Sequence, residues 1–163
     1  MRSAFAIGVD RTPEQDVRFA LQQLIEVAVR GLASGTNDPY TTVSALDLSR
    51  VALVPLVARE EAPRGRLDDG GHRRPSFEWP SAATLVSDVL DSVRQYGTDH
   101  PAVVRAGLDL AERLGTAARS EELRIAITVK VKDLMTAYAD TGPDAPDIAA
   151  LRARSEQVVH SLR

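Results

Sequence analysis

Helix-start signals recur along this chain and constrain its fold more than any other feature. Such a signal is a residue that can cap a helix amino terminus, followed by proline, which suits the first helical position because its missing backbone N–H is not needed there. Complete or partial signals of this kind occur at Thr12-Pro13, Asp38-Pro39, Pro101, Ser120 and Pro146. Together with the apolar spacing between them, they predict an all-α domain of about six helices.

The first two predicted helices form an antiparallel hairpin. Thr12 is a suitable cap with Gln15 completing a capping box, and a helix over residues 13–33 carries an apolar stripe at Val17, Leu21, Leu24, Ala28 and Leu32. Asp38 is placed to cap the second helix, whose stripe is Val43, Leu46, Val51 and Val54. Pro55 is expected to kink or end this helix. Only a few residues join the two helices, which favours antiparallel packing.

The whole chain, residues 1–163, is predicted to be a single domain with four parts. Residues 1–11 are a leading segment in which residues 3–9 predict a short strand or an extended stretch. Residues 12–60 are the helical hairpin. Residues 61–80 are a long loop rich in glycine, proline and charge, which Phe77 and Trp79 are expected to anchor. Residues 81–163 hold the remaining helices.

Stop signals help to define those remaining helices. A helix over residues 81–96 is expected to bury Leu85, Val89, Val93 and Tyr96, with Gly97 as a left-handed stop. Further helices run over residues 101–115, from Ser120 towards residue 139, and from Pro146 to the carboxyl terminus. The helix that starts at Ser120 contains an alternating set of apolar residues, Ile125, Ile127, Val129 and Val131, which alone would predict a strand. Its length and its flanking helix formers favour a helix.

Composition excludes several classes of protein. The 163 residues carry 20 basic and 23 acidic side chains, so a strongly basic nucleic-acid binder is excluded as the default and we expect no nucleic-acid partner. There is no cysteine, which excludes disulfides and cysteine-ligated zinc. The best uncharged apolar run, residues 51–58, is much shorter than the about 20 residues of a membrane span. We therefore expect a soluble chain.

The most site-like segment is residues 35–39, Gly-Thr-Asn-Asp-Pro. Asn37 and Asp38 beside a helix start could bind a cation through their oxygens, or the helix donors could bind an anion. The structural interpretation, which we favour, is that Gly35 supplies positive φ, Asn37 shapes the turn and Asp38 caps the helix.

A second candidate set is Arg11, Glu14 and Asp16 at the first helix start. A shared ligand would require Asp16 to reach the 35–39 turn, but the first helix separates the two by about 30 Å. They could meet only across a subunit interface or through a bent or broken helix, so we favour capping together with pairing of Arg11. His72, His100 and His160 lack zinc spacing, no catalytic residue or metal ligand is assigned, and no cofactor can be named.

Two motifs carry a family resemblance. Residues 11–16 (RTPEQD) and 32–39 (LASGTNDP) are similar to an Arg-Thr-x-x-Gln-Asp helix start and a Ser-Pro-Gly-x-Asn-Asp-Pro turn. These are features of the carboxyl-terminal soluble region of predicted bacterial membrane proteins called domain of unknown function 2254. The chain departs from the family pattern at Ala33-Ser34 and Thr42-Val43. The resemblance implies several membrane spans ahead of this region, so the chain is either an excised soluble part or a free-standing relative.

Two functions follow as expectations. The first is a soluble, non-catalytic regulatory or assembly module of that membrane-protein family, working as a homo-oligomer or with a membrane-spanning partner. We expect it in the cytoplasm or at the inner face of the plasma membrane. The alternative is a ligand- or metal-binding domain, which could be an enzyme, centred on the 35–39 turn together with Arg11 and Asp16.

Overall fold

The computed structural model describes residues 16–33, 35–60, 69–72 and 80–163. Within these ranges the chain forms six α-helices and no strand, which confirms the all-α prediction. The helices are α1 (Val17–Gly31), α2 (Pro39–Val57), α3 (Ala82–Tyr96), α4 (Pro101–Ala117), α5 (Glu121–Asp140) and α6 (Ala145–Ser161). The strand or extended stretch predicted over residues 3–9 and the anchors Phe77 and Trp79 lie outside the described residues.

The helix starts follow from local chemistry. The side chains of Asp16, Asp38, Ser81 and Ser120 each accept a backbone hydrogen bond from the first turn of their helix. Proline lies in the first turn of α2, α4 and α6, as predicted. The start predicted for the first helix is wrong: Asp16 is extended (φ −130°, ψ 94°) and caps α1, which begins at Val17. The predicted cap Thr12 and its partner Gln15 lie outside the described residues.

The α1–α2 hairpin is closed by two hydrogen bonds between the end of one helix and the start of the next. The backbone N–H of Asp38 donates to the carbonyl oxygen of Gly31 at 2.7 Å, and the buried Thr42 hydroxyl donates to the carbonyl oxygen of Ala28 at 2.8 Å. Because Gly31 has no side chain, the backbone of α2 can approach this closely.

Helix α4 lies at the centre of the fold and contacts α2, α3, α5 and α6. Its inward face is fully buried, at Val103, Val104, Leu108, Ala111 and Leu114. Around it pack aliphatic side chains from the other helices, among them Leu53, Val89, Ile127 and Val158. The core is aliphatic because the chain has few aromatic residues.

Several predicted inward-facing positions are wrong. Val17, Val51 and Tyr96 are exposed, although each continues the spacing of an apolar stripe. The stripes on these helices are wider than the face that neighbouring helices cover, and spacing alone does not tell which edge stays in solvent. Leu85, Val89 and Val93 are buried as predicted.

The observed ends of two helices also differ from their predictions. Gly97 ends α3 with φ −106°, which is not the left-handed conformation predicted for it. A glycine is needed there because a Cβ at residue 97 would overlap the Val103 side chain. Pro55 lies in the last turn of α2, and the helix continues for two residues, to Val57.

The alternating segment of α5 is helical, as predicted. Ile127 and Val131 are four residues apart and face the core, whereas Ile125 and Val129, also four apart, lie on the exposed side. The alternation therefore reflects apolar residues on both faces of one helix.

Candidate functional site

Asp38 caps α2 with both of its carboxylate oxygens. Oδ1 accepts from the backbone N–H groups of Tyr40 at 3.0 Å and Thr41 at 3.2 Å, and Oδ2 accepts from the Thr41 hydroxyl at 2.6 Å. The hydrogen bond from the Thr41 side chain is the main reason that the pKa of Asp38 lies below its ordinary value. The predicted capping role of Asp38 is confirmed, because both carboxylate oxygens accept hydrogen bonds from the start of α2.

The turn before Asp38 is built from backbone hydrogen bonds. The N–H groups of Thr36 and Asn37 donate to the carbonyl oxygen of Ala33 at 2.8 and 2.9 Å. Asn37 adopts the left-handed region with φ 43°, which asparagine tolerates better than most residues. The prediction that Gly35 supplies the positive φ is wrong, because Asn37 supplies it.

Asp16 caps the other end of α1, where its Oδ1 accepts from the backbone N–H of Phe19 at 2.9 Å. Helix α1, which has 15 residues and ends at Gly31, separates this cap from Asp38, so the two aspartates lie about 22 Å apart along the helix. The sequence predicts that the first helix keeps Asp16 and Asp38 apart within one chain, and the structure agrees. Arg11 and Glu14 lie outside the described residues, and their pairing stays a prediction.

The sequence analysis assigned no metal site, and the described residues contain no group of three or more His, Asp or Glu side chains able to hold a metal ion. His100 stands at the amino terminus of α4 and makes no side-chain capping bond there. It stands directly before Pro101, the first residue of α4.

A charged cluster that the sequence analysis missed joins α4 to α6. The Arg154 guanidinium binds both carboxylate oxygens of Glu112, at 3.2 and 2.7 Å, and its Nε donates to Asp109 at 2.8 Å. The hydrogen bond from Arg154 is the main cause that lowers the pKa of Glu112, and the same bond raises the pKa of Arg154. This fork geometry orients all three side chains.

The cluster forms one wall of a charged cleft of about 410 Å³ between α2, α4 and α6. Asp47 and Arg50 of α2 line the opposite wall and pair with each other at 3.6 Å. The only sequence signal for this cleft is the placement of Asp109 and Glu112 three residues apart on one edge of α4. Their partner lies more than 40 positions away, so no local spacing could have identified it.

Within the described residues, no other helix covers one long face of α2. We call the exposed residues Tyr40, Ser44, Leu48, Val51 and Pro55 the free face of α2. Tyr40 is 80% exposed, Leu48 57% and Val51 64%, although these are apolar or largely apolar side chains. The opposite face, with Thr42, Leu46, Ser49 and Leu53, is buried in the fold.

The same helix has the composition of a membrane span. Among the residues that the structure describes, α2 alone is long and apolar enough to cross a membrane, by length and composition. The uncharged run from residue 51 to 58 is too short to predict such a helix, because Asp47 and Arg50 interrupt the apolar residues of α2. Core helices pass the same test, and here α2 packs against α1, α3 and α4.

The comparisons with known proteins agree with the resemblance drawn from the two motifs. The family described as "Predicted membrane protein (DUF2254)" matches residues 1–113. The chain belongs to this family. Uncharacterised proteins of Mycobacterium tuberculosis and Mycobacterium bovis are 32% identical to it over 158 residues, which is 94% of the chain.

The DUF2254 relatives are much longer than this chain, which spans 30% of their length. No solved structure matches it. The two motifs at residues 11–16 and 32–39 lie within the matched region, and of these the described residues include Asp16, the end of α1 and the start of α2.

Proposed function

We propose that this chain is a non-catalytic helical module that serves assembly or regulation of a DUF2254 membrane protein. The observation that carries the proposal is the free face of α2. A soluble fold rarely leaves several large apolar side chains together on one exposed helix face unless another surface covers them in the working protein. A face of this kind is therefore typical of an interaction module.

The candidate turn supports the same proposal. A ligand at residues 35–39 would use the Asp38 carboxylate, whose oxygens already accept three hydrogen bonds from the start of α2. Asp16 acts in the same way at the start of α1. Both carboxylates therefore have a structural task that explains their position without a ligand.

The length of the relatives also supports the proposed function. The chain spans 30% of the length of these relatives, so each relative has a large remainder outside the matched region, and the family is described as predicted membrane proteins. The free face of α2 gives that remainder, or another copy of this segment, a surface to contact.

A thermal-shift panel on the purified chain tests this function against the ligand-binding alternative. The panel contains Mg²⁺, Ca²⁺, Zn²⁺, inorganic phosphate and ATP, and it is repeated on Asp16→Asn and Asp38→Asn. A site filled at a hundred times its Kd adds about 2.7 kcal/mol, and each kcal/mol moves the midpoint by about 2–4 °C at this size. We expect no shift that depends on the two aspartates. A shift in the wild type that both variants abolish would overturn the proposal in favour of a ligand site.

The proposal includes the side of the membrane on which the module works, which we take to be cytoplasmic. Fusion proteins at the carboxyl terminus of a full-length relative test this point. A fluorescent protein that folds only in the cytoplasm should fluoresce there, and a fused alkaline phosphatase should be inactive. The reverse pattern would place the module outside the cytoplasm.

A further inference from the structure

We infer that the charged cleft between α2, α4 and α6 binds a short zwitterion of the phosphoethanolamine kind, an ammonium group joined to a phosphodiester by a two-carbon linker. The residues that line the cleft are not those of the free face of α2, and the inference goes beyond the proposed function. The size of the cleft is suitable, because about 410 Å³ lies within the range of about 300–1,000 Å³ that small-molecule pockets occupy. Its apolar lining, at Val43, Leu46, Ala106 and Leu110, is buried or half-buried and offers a floor for the linker.

The charges that line the cleft cancel one another. They come from three arginines and three acidic residues, namely Arg50, Arg113, Arg154, Asp47, Asp109 and Glu112. A ligand with a charge of one sign would meet repulsion as well as attraction in such a cleft. A molecule that carries both charges can place each beside its opposite, so the cleft favours a zwitterion over a simple anion or cation.

Two of the carboxylates lie at the same level on opposite walls. Helices α2 and α4 are in extensive contact, and their carboxyl ends lie together, where the backbone N–H of Arg119 donates to the carbonyl oxygen of Val57 at 3.1 Å. The two helices therefore run in the same direction. Counting the same number of residues back from this contact along each helix places Asp47 level with Asp109.

Both of these carboxylates can accept from an ammonium group. Asp47 is 69% exposed, and its contact with Arg50 is 3.6 Å long, so this pair contributes little and can be exchanged for a ligand. Asp109 binds Arg154 through Oδ1, whereas its Oδ2 accepts no hydrogen bond from any described residue. The three N–H donors of an ammonium group are enough for both carboxylates.

Two guanidinium groups lie beyond the carboxylates along the same walls. Arg50 follows Asp47 by three residues and Arg113 follows Asp109 by four, which is about 4.5–6 Å further along the helices. Arg113 makes no ion pair within the described part of the chain. The fork of N–H donors on a guanidinium matches phosphate oxygens. A two-carbon linker between ammonium and phosphate suits this separation, whereas an α-amino acid carries both charges on one carbon.

The test is an NMR titration of the ¹⁵N-labelled chain with glycerophosphoethanolamine, which carries the zwitterion without acyl chains. We expect saturable shifts of the amide signals around the cleft, with a Kd of about 1 mM or tighter. Arg113→Ala and Asp47→Ala should each weaken binding by about tenfold or more, because each removes a charged contact. The matched controls are Arg105→Ala on α4 and Asp133→Ala on α5, which are exposed and do not line the cleft. Both should bind like the wild type.

Half-ligands test whether both charges are recognised. Glycerol 3-phosphate and ethanolamine each carry one of the two charges, and each should bind at least about tenfold more weakly than the zwitterion. Equal binding of glycerol 3-phosphate would overturn the inference in favour of a simple anion site. The inference is also overturned if glycerophosphoethanolamine does not bind, or if Arg113→Ala and Asp47→Ala leave its binding unchanged.

Vesicle flotation distinguishes the two sources of such a zwitterion once the soluble probe binds. The chain is floated with phosphatidylcholine vesicles that contain or lack phosphatidylethanolamine. Flotation that requires both phosphatidylethanolamine and Arg113 supports the inference with a lipid headgroup as the ligand, and binding of the probe without flotation supports it with a free zwitterion. Neither Asp16 nor Asp38 lines the cleft, so the ligand panel on those two residues tests the proposed function separately.

Discussion

Gly31 and Asp38 contact each other through their backbones at the point where α1 ends and α2 begins. The N–H of Asp38 donates to the carbonyl oxygen of Gly31 at 2.7 Å, and a Cβ on Gly31 would lie 3.0 Å from the carbonyl oxygen of Asp38. The most distinctive motif of the sequence is thus a joint between two helices. The aspartate of the motif is explained by capping, and Gly31, which directly precedes the motif, is explained by close packing against the start of α2.

Gly31→Ala is predicted to destabilise the protein although it lies in a helix. The added methyl group gains up to about 1 kcal/mol of helix propensity, but overpacking against a backbone carbonyl and Thr42 costs about 1–3 kcal/mol. We expect a net loss of about 1 kcal/mol in urea unfolding. The matched control is Gly35→Ala, where a Cβ meets open space, and there stability should stay the same or rise. Equal effects at both positions would contradict the close packing.

Asp38→Ala is predicted to lower the thermal midpoint by a few degrees. It removes the acceptor for the N–H groups of Tyr40 and Thr41, which water then has to satisfy. Asp38→Asn should cost less, because its amide oxygen can still accept these bonds. Circular dichroism melts give both values, and an unchanged midpoint in Asp38→Ala would remove the capping explanation.

The features that sequence predicted well are those fixed by neighbouring residues. The cap at Asp38, the prolines at the starts of α2, α4 and α6, and the helix through Ile125 to Val131 all follow from local spacing. Each depends on residues within about one or two helical turns, the range in which backbone and side-chain preferences act.

The features that sequence missed depend on which helices meet. Val51 and Tyr96 continue apolar stripes, yet no helix covers them in the described part of the chain. Arg154 finds Glu112 across 42 positions because α4 and α6 pack together. The left-handed residue of the turn proved to be Asn37 rather than the nearby glycine, since the two helix ends fix where the chain must reverse.

Stability is predicted to fall with acid through the Arg154–Glu112 pair. The pKa of Glu112 lies below its ordinary value of 4.5 in the folded state, so the unfolded chain binds the proton more readily. The contribution of the pair is therefore present above about pH 4.5 and lost as the pH falls through the lower folded value. Urea unfolding measured between about pH 6 and about pH 3 tests this prediction. Over that range the free energy of unfolding should fall less in Glu112→Gln and in Arg154→Met than in the wild type. Parallel curves for all three proteins would refute the role of this pair.

Tyr138→Phe is predicted to leave the protein as stable as before or to stabilise it by about 1 kcal/mol. The Tyr138 side chain is 1% exposed, and its hydroxyl has no hydrogen-bond partner among the described residues. Burial without a partner is costly for a hydroxyl group, and the same burial raises the pKa of this phenol. Thermal melts of the two proteins decide the matter. A clear loss of stability would show that the hydroxyl is hydrogen-bonded in solution.

The most direct test of the account is whether the free face of α2 contacts another copy of the chain. The chain has no cysteine, so Leu48→Cys places a single thiol on the free face of α2. A short bis-maleimide added to the purified protein should produce a covalent dimer, and dilution below the association range should abolish it. Ile125→Cys, a comparably exposed apolar position on α5, should remain monomeric under the same conditions. Equal yields from the two variants, or no dimer from Leu48→Cys, would contradict the account.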